Sequence, residues 1–299
     1  MFFRCISLFH TGVKLQTTQE KGDEVIKFMR ERKVMAFLIP TQCIQNSILK
    51  LIGMDADDST VNDKFLATNN NVQKTHCFQK LYISFMFRLY DDTKANAEKF
   101  LACIASSTWA NLFVSHAFHT FYIGLVSFWV ARKSRDEIQW YERGNKSKLA
   151  LKKWAETSRW NFENKWYLLE AEEAFCNGNF DDAKLYYENA VASAKAHKFV
   201  HEQALTYELA AYFYLDIGDV NKAVEYCVLA HERYSEWGAT GKCTSLFKFF
   251  EGVVSKCLGS SPAISNGVQP EVARLPTENS IQNAETRKRS LDDHSLGAT

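Results

Sequence analysis

The stretches YLLEAEEAFCNGNFDDAKLYYENA (167–190) and YELAAYFYLDIGDVNKAVEYCVLA (207–230) repeat each other at an offset of 40 residues. Tyr167, Ala171, Ala174, Gly178, Asn179, Ala183, Tyr186 and Ala190 correspond to Tyr207, Ala211, Tyr214, Gly218, Asp219, Ala223, Tyr226 and Ala230. A fixed period of this size marks stacked supersecondary units, none of which buries its apolar face alone. Tyr167, Ala171, Ala174 and Gly178 fall at i, i+4, i+7 and i+11, one face of a helix, and Ala183, Tyr186, Tyr187, Ala190, Val191 and Ala194 continue the stripe on a second helix. Gly178 and Gly218 between the two helices suit the left-handed conformation that ends a helix. Asn179 and Asp219 then suit the N-cap of the returning one. The matched alanines at 171, 183 and 190 and at 211, 223 and 230 have no bulk to hold helices apart, which predicts close antiparallel packing.

Composition extends the helical reading to the whole chain. The four prolines are Pro40, Pro262, Pro270 and Pro276, so the helix breaker is missing from Thr41 to Ser261. An apolar fraction of 46% supplies a core. With 36 basic against 35 acidic residues there is no electrostatic case for DNA or RNA, and no nucleic-acid partner is expected. The eight cysteines (5, 43, 77, 103, 176, 227, 243, 257) form no CxxC and do not cluster with histidine. They read as buried reduced thiols, and a cytoplasmic location is expected. The opening MFFRCISLFHTGVKL is broken by Arg4 and Lys14 and is too short an apolar run for a signal peptide.

Residues 100–131 contain no Asp, Glu, Lys or Arg and precede Arg132, Lys133 and Arg135. Ser106, Ser107, Thr108, Asn111, Ser115, His116, His119 and Thr120 would each cost free energy in hydrocarbon, so a buried central helix is preferred to a membrane span over 109–131. Elsewhere helical patterning covers about 19–52, then a polar loop over 53–74 with Asp55, Asp57, Asp58 and Asn69-Asn70-Asn71. Helices follow over 77–89 and 94–105 with Asp91-Asp92 at the turn, then over 109–131 and 135–156. A closing helix spans about 240–257. The expected organisation is 1–157 as divergent helical repeats, 158–257 as two clear repeats plus the closing helix, and 258–299 as a disordered tail. Within that tail Arg287-Lys288-Arg289-Ser290 offers a kinase site at Ser290 or a weak nuclear import patch, beside the plain reading of a solvated tail.

Near-misses to catalytic motifs fail on chemistry. Gly238-Ala-Thr-Gly241-Lys242-Cys243-Thr244 resembles a phosphate loop, but Glu236 stands at the first glycine position and Cys243 where a hydroxyl must meet magnesium. His201-Glu202 and His231-Glu232 begin a zinc-hydrolase pattern whose partner positions are Leu205 and Ser235. His116 and His119 share a helical face and His197 and His201 flank a helix connection, each pair without a suitable third ligand nearby. No metal or cofactor is expected. Glu170, Glu172 and Glu173 read as an exposed helix face.

At the level of the hairpin, the order small, Gly178, Ala183, Tyr187, Ala190 resembles a tetratricopeptide repeat, with Cys227 at the aromatic position of the second copy. A broader resemblance covers about 7–250. It is carried by Arg159-Trp160-Asn161-Phe162-Glu163-Asn164-Lys165, by Leu168-Leu169-Glu170-Ala171-Glu172, by 201–205 with 208–211, and by Tyr234 to Ala239 with Lys242. Ser7-Leu8-Phe9-His10-Thr11-Gly12 and Gly124-Leu125-Val126-Ser127-Phe128 add to it. These strings are similar to the helical repeat region of large multidomain signalling proteins, those with an AAA-type ATPase module, a serine/threonine kinase-like front and a histidine kinase end. The resemblance implies an all-α chain, an α-solenoid of tetratricopeptide-like hairpins, without the family's catalytic domains. Because Phe9-His10 matches mid-region sequence, it also implies a shortened or stand-alone relative of the larger protein.

The expected function is a non-enzymatic protein–protein interaction scaffold in signal transduction. The alternative is a regulatory segment of a signalling ATPase or kinase whose catalytic parts lie outside this chain. By analogy with tetratricopeptide grooves, the concave face that takes a protein or peptide ligand is Lys165, Leu168, Glu172 and Phe175, then Leu205, Glu208, Tyr212 and Leu215.

Overall fold

The computed structural model describes residues 2–56, 70–105, 113–134 and 137–259. Among them are twelve helices: α1 (Phe2–His10), α2 (Leu15–Glu31), α3 (Met35–Ile52), α4 (Asn70–Met86), α5 (Tyr90–Ala105), α6 (Phe113–Lys133), α7 (Ile138–Thr157), α8 (Arg159–Cys176), α9 (Phe180–Ala196), α10 (Val200–Asp216), α11 (Val220–Trp237) and α12 (Thr240–Gly259). Consecutive helices pack as hairpins, α2 with α3, α4 with α5, α6 with α7, α8 with α9 and α10 with α11. The first members of successive hairpins also touch, α4 on α6, α6 on α8 and α8 on α10. The chain divides into two units at Phe250 and Glu251.

Helix length is set by a recurring stop. Gly12, Lys33, Gly53, Arg88, Gly178, Lys198, Gly218 and Gly238 have positive φ among the described residues. At each, the N–H of that residue bonds the carbonyl three back and the next N–H bonds the carbonyl five back, as in Gly178 to Phe175 (3.1 Å) and Asn179 to Ala174 (2.9 Å). This is the Schellman end of a helix. From Gly178 onward the stop recurs every 20 residues, at 178, 198, 218 and 238. The 40-residue repeat is therefore two half-units, and Lys198 stands where a glycine would be less strained.

The same stop corrects two boundaries. The helical pattern over 19–52 is broken at Lys33 (φ 55°), giving α2 and α3. Arg88 (φ 57°) ends α4, and α5 begins at Tyr90, so Asp91 and Asp92 lie in its first turn, where helix N-termini favour negative charge, and not in the connection. Phe180 with Asp181 and Asp182 repeats this arrangement at the start of α9. Asp219 accepts a hydrogen bond from the Lys222 N–H (3.0 Å), whereas Asn179 makes no side-chain cap. The polar loop over 53–74 is shorter than expected, because α4 starts at Asn70.

The alanine register holds: Ala171, Ala183, Ala190, Ala211, Ala223 and Ala230 are each 0% exposed. In the segment weighed as a membrane span, Phe121, Val126, Phe128 and Val130 are fully buried in the protein's own core. No helix among the described residues is long and apolar enough to cross a membrane. Ser106, Ser107, Thr108 and Asn111 lie outside the described residues. So does the expected disordered tail, with Ser290, except that Leu258 and Gly259 end α12.

The ends of the first unit meet. Trp237 Nε1 donates to the Val13 carbonyl (3.1 Å), and Lys242 Nζ donates to the Met86 carbonyl. A Cβ on Gly241 would stand 2.5 Å from Gly53 Cα, so α12 and the end of α3 touch backbone to backbone. Phe9 of α1 lies against Trp237 (6.1 Å between ring centres, stacked), Tyr82 (5.5 Å) and Phe118 (6.4 Å). Helix α1 thus fills the space bounded by those side chains of α4, α6 and α11.

A Cβ at Gly178 or Gly218 meets no atom within 4 Å, so alanine there costs only the left-handed backbone, about 1 kcal/mol each. Lys198→Gly, at an exposed position, raises the urea midpoint while Gly178→Ala and Gly218→Ala lower it by similar amounts; unequal or absent effects would contradict the shared turn.

Candidate functional site

Six of the eight positions expected on a concave face are buried: Lys165 (8%), Leu168 (1%), Glu172 (2%), Phe175 (9%), Leu205 (2%) and Glu208 (1%). Tyr212 and Leu215 are half-buried against the same core. These positions lie in the core, covered by the chain's own side chains. Glu172 is accordingly not on an exposed face; Glu170 and Glu173 beside it both receive Lys148 Nζ.

Three buried carboxylates organise this interior. Glu172 on α8 accepts from Arg132 of α6 (2.6 Å) and from the Tyr187 hydroxyl of α9 (2.6 Å). Glu208 on α10 accepts from Lys242 of α12 (2.6 Å) and from the Tyr234 hydroxyl of α11 (2.7 Å). Each is a carboxylate held between a phenol of its own hairpin and a cation from another helix. The two are not at equivalent repeat positions: Cys227 replaces the phenol of Tyr187, and the second carboxylate sits a turn earlier, in reach of Tyr234. Burial pushes both tyrosines well above their ordinary range. Burial also pulls the Lys242 ammonium down, against the opposing attraction of Glu208. The lysine of the phosphate-loop look-alike is thus consumed by an internal ion pair.

The third carboxylate, Glu202 on α10, accepts from Lys165 (2.7 Å) and from Asn164, both on α8. His201 Nε2 stands 3.7 Å from its other oxygen, too far for a hydrogen bond. His10 of α1 completes the group, with its ring stacked 3.8 Å from that of Phe118. A Cβ at Gly12 would collide with the His201 ring. His10 Nδ1, Glu202 Oε1 and Asn164 Oδ1 have no hydrogen-bond partner, and the His201 ring meets the His10 backbone, which leaves one ring nitrogen without a partner. Among the described residues, the other such buried atom is Ser127 Oγ. Unsatisfied polarity is therefore concentrated where α1 docks.

Cations over aromatic rings close the remainder. The Arg88 guanidinium lies 3.8 Å over Trp129 and 4.6 Å over Tyr212, and that of Arg132 lies 4.2 Å over Phe175. Arg88, Arg132, His10 and Lys242 were not candidates on sequence grounds. Arg88 alone carried a usable signal, since Tyr90-Asp91-Asp92 beside it matches Phe180-Asp181-Asp182 beside Gly178. No group of three His, Cys, Asp or Glu among the described residues is placed to hold a metal ion. No family model, no curated protein and no solved structure matches this chain.

Burial first, then the charges of His201 and Lys165, lower His10 to about 3; burial lowers His201 to about 4, with Glu202 opposing. The unfolded chain, near 6.5, takes up protons first as pH falls, so stability present above about 6.5 is lost on acidification, by roughly 2 kcal/mol per histidine at pH 5. In urea unfolding, His10→Phe, which keeps the ring on Phe118, loses its share of the difference between pH 7 and pH 5. Lys242→Met strands the Glu208 carboxylate and costs about 3–5 kcal/mol, most of it regained in the double variant Glu208→Leu with Lys242→Met.

Proposed function

We propose that the chain is a non-enzymatic interaction scaffold of cytoplasmic signalling, an α-solenoid of tetratricopeptide-like hairpins whose interior takes a peptide or helix from a protein partner. The observation that carries this reading is the docking of α1. A short helix sets Phe9 against Trp237 and His10 against Phe118, and beside it Glu202 of α10 and Asn164 of α8 keep polar atoms without hydrogen bonds. Each unsatisfied buried group costs about 1–3 kcal/mol, so an incoming segment that hydrogen-bonds Glu202, Asn164 and His201 outcompetes the resident helix. The repeated hairpins support the same reading, because stacked repeats present an extended inner surface for partners. Glu172 and Glu208 act here as struts that keep α8 and α10 in place, and the ligand contacts fall to the cluster beneath α1.

Hydrogen exchange of the full chain tests this. Amides of α1 are expected to exchange by local opening, well before those of α8 to α11, and excess synthetic peptide of residues 2–13 is expected to speed α1 exchange further by taking its place. If α1 exchanges only with global unfolding and the peptide changes nothing, the interior is closed to partners and the reading is wrong.

A further inference from the structure

Away from the interior, two thiols face each other across the α4–α5 hairpin. Cys77 of α4 and Cys103 of α5 have their Sγ atoms 3.5 Å apart, and both side chains are half-exposed. A third thiol, Cys43 of α3, is buried at 4% exposure and lies close enough to Cys77 for their charges to interact. The helices carrying the facing pair are packed along their length. We propose that Cys77 and Cys103 are a reversible oxidation site, a dithiol that a peroxide converts to a disulfide clamping α4 to α5.

The Sγ atoms stand 3.5 Å apart and a disulfide is about 2.05 Å, so the two sulfurs have only that difference to close. The order of events follows from environment. Burial, and after it the hydrogen bond to Cys103, push the Cys77 thiol up to about 12, which keeps it protonated and slow toward oxidants. Cys103 reacts first: its sulfur attacks the peroxide, the O–O bond breaks, and Cys103 sulfenic acid and water form. The Cys77 sulfur then attacks the Cys103 sulfur; the S–S bond forms, hydroxide leaves and takes up the Cys77 proton as a second water. Two thiols are oxidised by two electrons and one peroxide is reduced to two waters. A low-molecular-weight thiol returns the pair to the dithiol by exchange. A bond closing the loop from 77 to 103 constrains the unfolded chain, so the oxidised form has the higher thermal midpoint.

The folded, reduced full chain is treated with hydrogen peroxide, alkylated with N-ethylmaleimide, digested without reductant and mapped by mass spectrometry. The expected product joins the Cys77 and Cys103 peptides, two hydrogen atoms lighter than their sum. Dithiothreitol abolishes it, Cys43→Ser retains it, and in urea it gives way to scattered pairings among the cysteines. Dimedone is expected to label Cys103 in Cys77→Ser. Loss of the joined peptide in Cys43→Ser, or full alkylation of both thiols in the oxidised wild type, overturns the proposal. Dimedone on Cys77 in place of Cys103 reverses the assigned order and overturns that part.

Discussion

Each helix of the well-spaced half of this chain is stopped at the same length by one residue in the left-handed conformation. Twenty residues is enough for a helix and its turn, so successive helices reverse direction at a constant interval and their alanines come into phase. Full burial of those alanines follows from phase as much as from size, since a shift of one residue would rotate bulky neighbours into the seam. Where the stop is glycine it is nearly free of strain. Where it is Lys33, Arg88 or Lys198 the backbone carries a cost that packing must offset.

The alanine phase fixes which faces meet, but a slip by a whole turn keeps those faces together. The buried carboxylates remove that freedom. Glu172 meets its partners only with α6, α8 and α9 in one register, and Glu208 does the same for α10, α11 and α12. Desolvation makes the net stability of such groups small or negative, so their contribution is a single arrangement of helices. The cluster at His10, His201 and Glu202 lacks that closure.

How much of this was visible in the residues divides along physical lines. The two clear hairpins were legible because glycine and alanine at fixed spacing report backbone conformation and close approach directly. The stops at Lys33 and Arg88 were not, since nothing about a lysine or arginine side chain announces positive φ, and Asp91-Asp92, read as the turn, lie in the first turn of the next helix. The positions expected on a ligand-binding face are buried in the core, and the side chains that cover them were invisible in the sequence. Trp237 and Lys242 lie far in sequence from Val13 and Met86, and nothing local to either reports that these pairs meet. Arg132 read as charge flanking an apolar segment, when it is a partner for a carboxylate 40 residues on.

The meeting of the first unit's ends bears on how the chain is made. The Trp237–Val13 and Lys242–Met86 bonds span 224 and 156 residues. During synthesis the leading helices leave the ribosome long before the segments that cap them exist, and loop closure of that size comes late. Until then Leu15 and Phe9 lack part of their cover, and the nascent chain exposes aromatic surface. Folding is completed from the back: the last hairpin, once released, seals the first.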